Sequence, residues 1–144
     1  FIFQVDSDDQ FFSKDFNKLW QLRKINSLIL GFRKKRYDSF HRLIITRLLK
    51  IFNLILFRKF VPDANIPYRL IGGEFLKKNL KFISSKSLAP NILISIKAAK
   101  DKKIKSIVVS HKERLTGQVW IVKFNLIKFM FKVFIEIISF KKNI

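Results

Sequence analysis

Two apolar blocks, Phe1-Ile2-Phe3-Gln4-Val5 and Phe11-Phe12, are separated by Asp6-Ser7-Asp8-Asp9-Gln10. The first block mixes β-branched and aromatic side chains and suits a buried strand, so the acidic cluster falls where that strand must turn. The carboxyl ends of strands are where open α/β sheets place their ligands. At Asp-x-Asp spacing, Asp6 and Asp8 can aim two hard oxygen donors at one divalent cation, and the Gln10 carboxamide supplies a third. Mg2+ or Mn2+ suits such a set, because these ions keep waters and bridge to substrate phosphates. The same residues also make a good solvated turn that caps the next helix. Taken alone, the cluster leaves both possibilities open.

Downstream, Ser13-Lys14-Asp15-Phe16 opens a predicted helix to about Lys24, with Phe16, Leu19 and Trp20 on one face. Ser27 to Phe32 then reads as a short buried strand ending at Gly31. Strand, helix and strand in succession predict an α/β layer architecture. Residues 31–38 form a basic loop whose Arg33 and Arg36 can clamp phosphate, or simply make a solvated connection.

Residues 39–60 have helical apolar spacing interrupted by Arg42, Arg47, Lys50 and Asn53. That is too much charge for a membrane span and fits either a core or an interfacial helix. Pro62 stops it, and Pro62 and Pro67 stiffen an irregular segment that holds the carboxylate of Asp63. A short helix over about 74–82 follows, then a helix opened by Pro90 and running to Lys100. Residues 104–110 read as a strand delivering His111, Arg114 and Gly117. There the glycine permits close backbone approach while the arginine binds an anion.

Residues 119–140 are the most hydrophobic part of the chain, with Asn125, Lys128, Lys132, Glu136 and Ser139 aligned as a narrow polar stripe. This pattern favours a helix lying in the plane of a membrane, with Lys141 and Lys142 as its basic end. A true span and a helix packed on a missing part of the protein remain as alternatives.

The formal charge is +20, from 30 Lys+Arg against 10 Asp+Glu, and 49% of residues are hydrophobic, including 17 Phe. An anionic partner follows from this balance, although an A+T-rich genome also enriches Lys, Ile, Phe and Asn. The cations are threaded through aliphatic runs instead of forming a stripe with exposed aromatics, and neither a zinc-finger nor an RNP-like motif is present. That texture points to lipid and away from nucleic acid. With no Cys there is neither a disulfide framework nor a thiolate metal site, which fits a reducing compartment. At 144 residues one domain or part of one is expected. Because the chain opens with Phe, inside a strand, preceding elements are expected as well.

In their order, four motifs resemble those of a family 2 glycosyltransferase of the GT-A fold, in the branch of dolichyl-phosphate mannose synthase and the bacterial polyprenyl-phosphate sugar transferases. They are residues 3–11, Gly31-Phe32-Arg33 with Arg36 and Asp38, Asp63 with Pro67-Tyr68-Arg69-Leu70, and His111 with Arg114 and Gly117. The resemblance covers most of residues 1–118 and implies transfer of a sugar from a nucleotide-diphosphate sugar to a lipid phosphate or glycan acceptor. By position, Asp6 and Asp8 would be the Asp-x-Asp pair with Gln10 a further ligand of Mg2+ or Mn2+. Asp63 would lie near the reacting centre. Arg114 would hold a phosphate beside Gly117, with Arg33 and Arg36 as additional phosphate contacts.

The resemblance also implies that residues 1–118 are a partial GT-A domain without its N-terminal nucleotide-binding half, inactive alone. Residues 119–144 would be an amphipathic membrane helix and basic tail, placing the protein at the cytoplasmic face of the membrane. Leu93 departs from the pattern, since many relatives carry an acid there. The competing function is a non-enzymatic basic module for membrane surfaces or nucleic acid, in which the acidic turn is only a cap.

Overall fold

A computed structural model describes residues 1–33, 40–58, 60–112 and 123–143. Among these residues four strands, β1 (Ile2–Gln4), β2 (Leu28–Arg33), β3 (Arg69–Ile71) and β4 (Ile104–Val109), form one mixed sheet in the order β1-β3-β2-β4. β3 is antiparallel to both of its neighbours, whereas β2 and β4 are parallel. Consequently β1, β2 and β4 all run the same way. The described residues also hold five α-helices: α1 (Phe16–Gln21), α2 (Phe40–Phe57), α3 (Gly73–Leu80), α4 (Pro90–Lys100) and α5 (Lys123–Lys142). The expected α/β class holds.

β2 is central, and Leu28, Ile29, Leu30 and Gly31 are all buried, as a strand covered on both faces requires. Gly31 does not end this strand, contrary to expectation, but sits inside it. A Cβ there would lie 2.8 Å from Val109 Cγ2 and 3.2 Å from Tyr68 O, so glycine lets β3 and β4 close on the strand from either side.

β3 was not expected: it begins at Arg69, the end of the segment 62–69 expected to be irregular. Its three residues are all buried between two antiparallel partners, and pairing on both sides makes this short stretch a strand. β1 differs in the opposite sense: it was expected to be buried, yet Ile2 is 48% and Val5 45% exposed. Among the described residues this edge strand pairs only with β3. The first helix is also shorter than its apolar spacing suggests, as a 3-10 turn at Ser13–Asp15 leads into α1, which ends at Gln21.

Two apolar cores meet at α4. Leu19, Leu28, Ile29, Leu30, Tyr68 and Leu70 form the first with Ala98 and Ala99 of α4. Ile92, Leu93 and Ile96 of α4 join Val133, Ile137 and Phe140 of α5 in the second, flanked by Phe52 and Leu56 of α2. α4 is therefore buried almost all round, and Pro90 starts it, where a missing N–H costs no hydrogen bond. Leu93 lies in the second core, which explains an apolar residue at that position. α5 packs one face inward, and no helix among the described residues is long and apolar enough to cross a membrane.

Candidate functional site at one end of the sheet

Because β1, β2 and β4 are aligned, the residues that follow them emerge at one end of the sheet, and the turn before antiparallel β3 arrives at the same end. Asp6 to Gln10, Arg33, Asp63 and His111-Lys112 are thereby brought together. Asp9 adopts φ 54°, a left-handed conformation that Asp tolerates better than most residues, and it reverses the chain sharply. Within the turn, Asp8 Oδ1 accepts the Gln10 N–H at 3.4 Å. Gln10 O accepts the Lys112 N–H at 2.9 Å, Gln10 Nε2 donates to Lys112 O at 3.3 Å, and Phe11 pairs with His111 in an antiparallel bridge. Lys112 Nζ closes the connection on Asp9 Oδ2 at 2.8 Å. The acidic turn is thus sewn to the segment leaving β4.

Arg33 and Asp63, expected as a phosphate contact and a reacting-centre acid, bind each other. Arg33 Nε donates to Asp63 Oδ2 at 2.8 Å and Nη2 to Oδ1 at 3.0 Å, and both side chains are largely shielded from water. This two-point, charge-assisted contact fixes the guanidinium plane. With both carboxylate oxygens accepting from Arg33, the chemistry of Asp63 here is to orient a cation.

Beneath this pair lies Arg69, fully buried and given no role of its own by the sequence motifs. Its Nε donates to Ile66 O at 2.7 Å, Nη1 to Asn91 O at 3.0 Å and to Ser95 Oγ at 3.4 Å, and Nη2 to Ala64 O at 3.1 Å and to Ile66 O. Burial lowers its pKa to about 10, opposed by the charges of Asp63 and Asp6, so the guanidinium stays protonated at neutral pH. It locks the Asp63 turn onto α4 and holds a positive charge that both carboxylates feel. The available signal was a lone Arg between Tyr68 and Leu70-Ile71 in an otherwise apolar run.

Asp15, also unassigned, anchors the other side: its buried carboxylate accepts the Ser110 N–H at 2.7 Å and pairs with Lys18. Burial pushes its pKa up, but the Lys18 ammonium and the Ser110 N–H outweigh that and hold it below the ordinary aspartate value. Tyr68 stacks on Phe11 at 5.0 Å and donates its hydroxyl to Phe12 O at 3.1 Å, fixing the floor of the turn.

Arg36, Asp38, Arg114 and Gly117 lie outside the described residues. Among the described residues no group of three or more His, Cys, Asp or Glu side chains could hold a metal ion. The donors of the acidic turn are Asp6, Asp8 and Gln10, whose amide is anchored through nitrogen, leaving oxygen as the ligand end. These are oxygen donors of the chemical type that suits Mg2+ or Mn2+. No family model, curated protein or solved structure matches this chain.

Proposed function

We propose that the chain carries the phosphate-facing part of a GT-A glycosyltransferase of the polyprenyl-phosphate branch. It moves a sugar from a nucleotide-diphosphate sugar to a lipid phosphate or cell-envelope glycan at the cytoplasmic face of a membrane. The observation supporting this most is that the Asp6–Asp8 turn, the Arg33–Asp63 pair and the His111-Lys112 segment meet at one end of the sheet, although they are far apart in sequence. Oriented cations beside carboxylates able to hold a metal ion would stabilise a departing diphosphate.

Asp6, Asp8 and Gln10 would hold a divalent cation, which would supply charge neutralisation for a leaving diphosphate. Arg33, fixed by Asp63, presents a guanidinium that needs no reorganisation as charge develops, and buried Arg69 adds to the positive field. Lys112 holds the acidic turn in place through Asp9. A lipid phosphate acceptor is already an anion, so no strong general base is needed, consistent with Asp63 being committed to Arg33. Arg36, Arg114 and Gly117 complete phosphate binding in this reading.

Mn2+ binding to the chain, followed by electron paramagnetic resonance, is expected to weaken on the order of 10- to 100-fold in Asp6→Ala and Asp8→Ala. Sugar transfer to polyprenyl phosphate is expected to be abolished by Asp8→Ala. Unchanged Mn2+ affinity together with unchanged transfer would sink the reading. The non-enzymatic alternative has one observation in its favour: the Asp8–Gln10 and Asp9–Lys112 contacts make a self-supporting turn. It requires that neither metal nor nucleotide sugar alter any property of the protein.

A further inference from the structure

The outward faces of α2 and α5 are apolar, the reverse of a helix that faces water. On α2, Ile44, Leu48, Ile51 and Ile55 recur at helical steps and all point outward, Ile55 being 71% exposed. Its opposite side packs Leu49, Phe52 and Leu56 against the second core and buries Asn53. On α5, Ile127, Phe131, Ile135 and Ile138 form the exposed stripe, with Phe131 59% and Ile135 67% exposed, while Val133, Ile137 and Phe140 are buried.

The Phe52 and Phe134 rings meet at 4.4 Å and join the two helices side by side. On each helix this contact lies between the buried and the exposed stripe. Both outward stripes therefore face the same way and form one surface. Scattered exposed apolar residues need no explanation, but eight on one face of two paired helices do.

Charge identifies what covers them. α2 contains no acidic residue, and the single acid of α5, Glu136, accepts the Leu88 N–H at 3.1 Å. The exposed Arg47 borders the α2 stripe, while Lys128 and Lys132 border that of α5, which ends in Lys141 and Lys142. An apolar strip rimmed by cations matches acyl chains beneath anionic headgroups. A second copy docking face to face would set those cations against their own counterparts.

We propose that α2 and α5 together form a docking surface that lies in the interfacial layer of an anionic membrane. The sequence pattern favoured this for residues 119–140 and left residues 39–60 as either a core or an interfacial helix; pairing with α2 doubles the width of the surface. The inference stands independently of any sugar chemistry.

Flotation of the chain with phosphatidylcholine vesicles, with and without phosphatidylglycerol, tests it. Binding is expected on the anionic vesicles and is weakened by salt. Ile55→Asp combined with Phe131→Asp is expected to lower partitioning at least about tenfold with helical circular dichroism unchanged. Lys128→Gln and Lys132→Gln should each cost about fivefold on anionic vesicles and nothing on neutral ones. Ile25→Asp, at an 81% exposed site in the turn after α1, should change nothing. The proposal is overturned if the paired Asp variant binds like wild type, if Ile25→Asp weakens binding equally, or if neutral vesicles bind as well as anionic ones. A dimer that Ile55→Asp dissociates, in a protein without vesicle binding, would make a second copy the occupant and overturn it too.

Discussion

A methyl group at position 31 would press on Val109 Cγ2 from one side and Tyr68 O from the other. The valine methyl can shift, but the carbonyl accepts the Gly31 N–H at 2.8 Å and is tied into β3. Gly31→Ala is therefore expected to destabilise the chain by about 1–3 kcal/mol in urea unfolding. Adding Val109→Ala should recover part of that loss in a double-mutant cycle. Asp15 gives a pH signature. Its folded pKa lies below the ordinary aspartate value, so its contribution is present above an unfolded pKa of about 3.9 and disappears as pH falls through the folded value. Asp15→Asn should lose about 1–3 kcal/mol at neutral pH by leaving the Ser110 N–H poorly satisfied. The gap from wild type should narrow as urea melts are repeated below about pH 4.

At the scale of elements, a side chain's worth depends on the stripe it occupies. Ile137 is fully buried between α4 and α5, whereas Ile138 beside it is 42% exposed. Ile137→Ala is expected to cost about 2–5 kcal/mol, and Ile138→Ala less than about 0.5 kcal/mol, both measured by thermal melting. Elements whose signal is local were legible in the sequence: Pro90 opening α4, the β-branched run of β4, and the long apolar repeat of α2. β3 was not, because its three residues are a strand only through partners on both sides, and Arg69 breaks its apolar pattern. The same gap hid the Arg33–Asp63 contact, since a guanidinium at the end of β2 reaches a carboxylate ahead of β3 only once those strands run antiparallel. Asp6–Gln10 and His111 were each read as following a strand, but their meeting depends on the common direction of β1, β2 and β4, which no local signal carries. The packing expected for α5, on a missing part of the protein, is not what is seen: α4 and α2 of this chain decide which face is buried.

For the whole molecule, the turn carrying Asp63 is the junction between layers. Ala64, its neighbour, packs against both apolar cores, and Arg69 ties the same turn to α4. A lipid surface contacting α2 and α5 would thus lie one layer of packing from the oriented Arg33. The strand registers have a different consequence, for the time the chain needs to fold. Ile2 pairs with Ile71 and Leu28 with Ile104, and β2 reaches β3 only after α2, so no two neighbouring strands in the sheet are joined by a hairpin. Each pairing must close a long stretch of chain before any ladder hydrogen bond compensates for the lost freedom. Stopped-flow tryptophan fluorescence is expected to show refolding over milliseconds to seconds; completion within microseconds would contradict these registers. During that interval the apolar stripes of α2 and α5 remain open to other chains, so recovery on dilution from denaturant should fall as protein concentration rises.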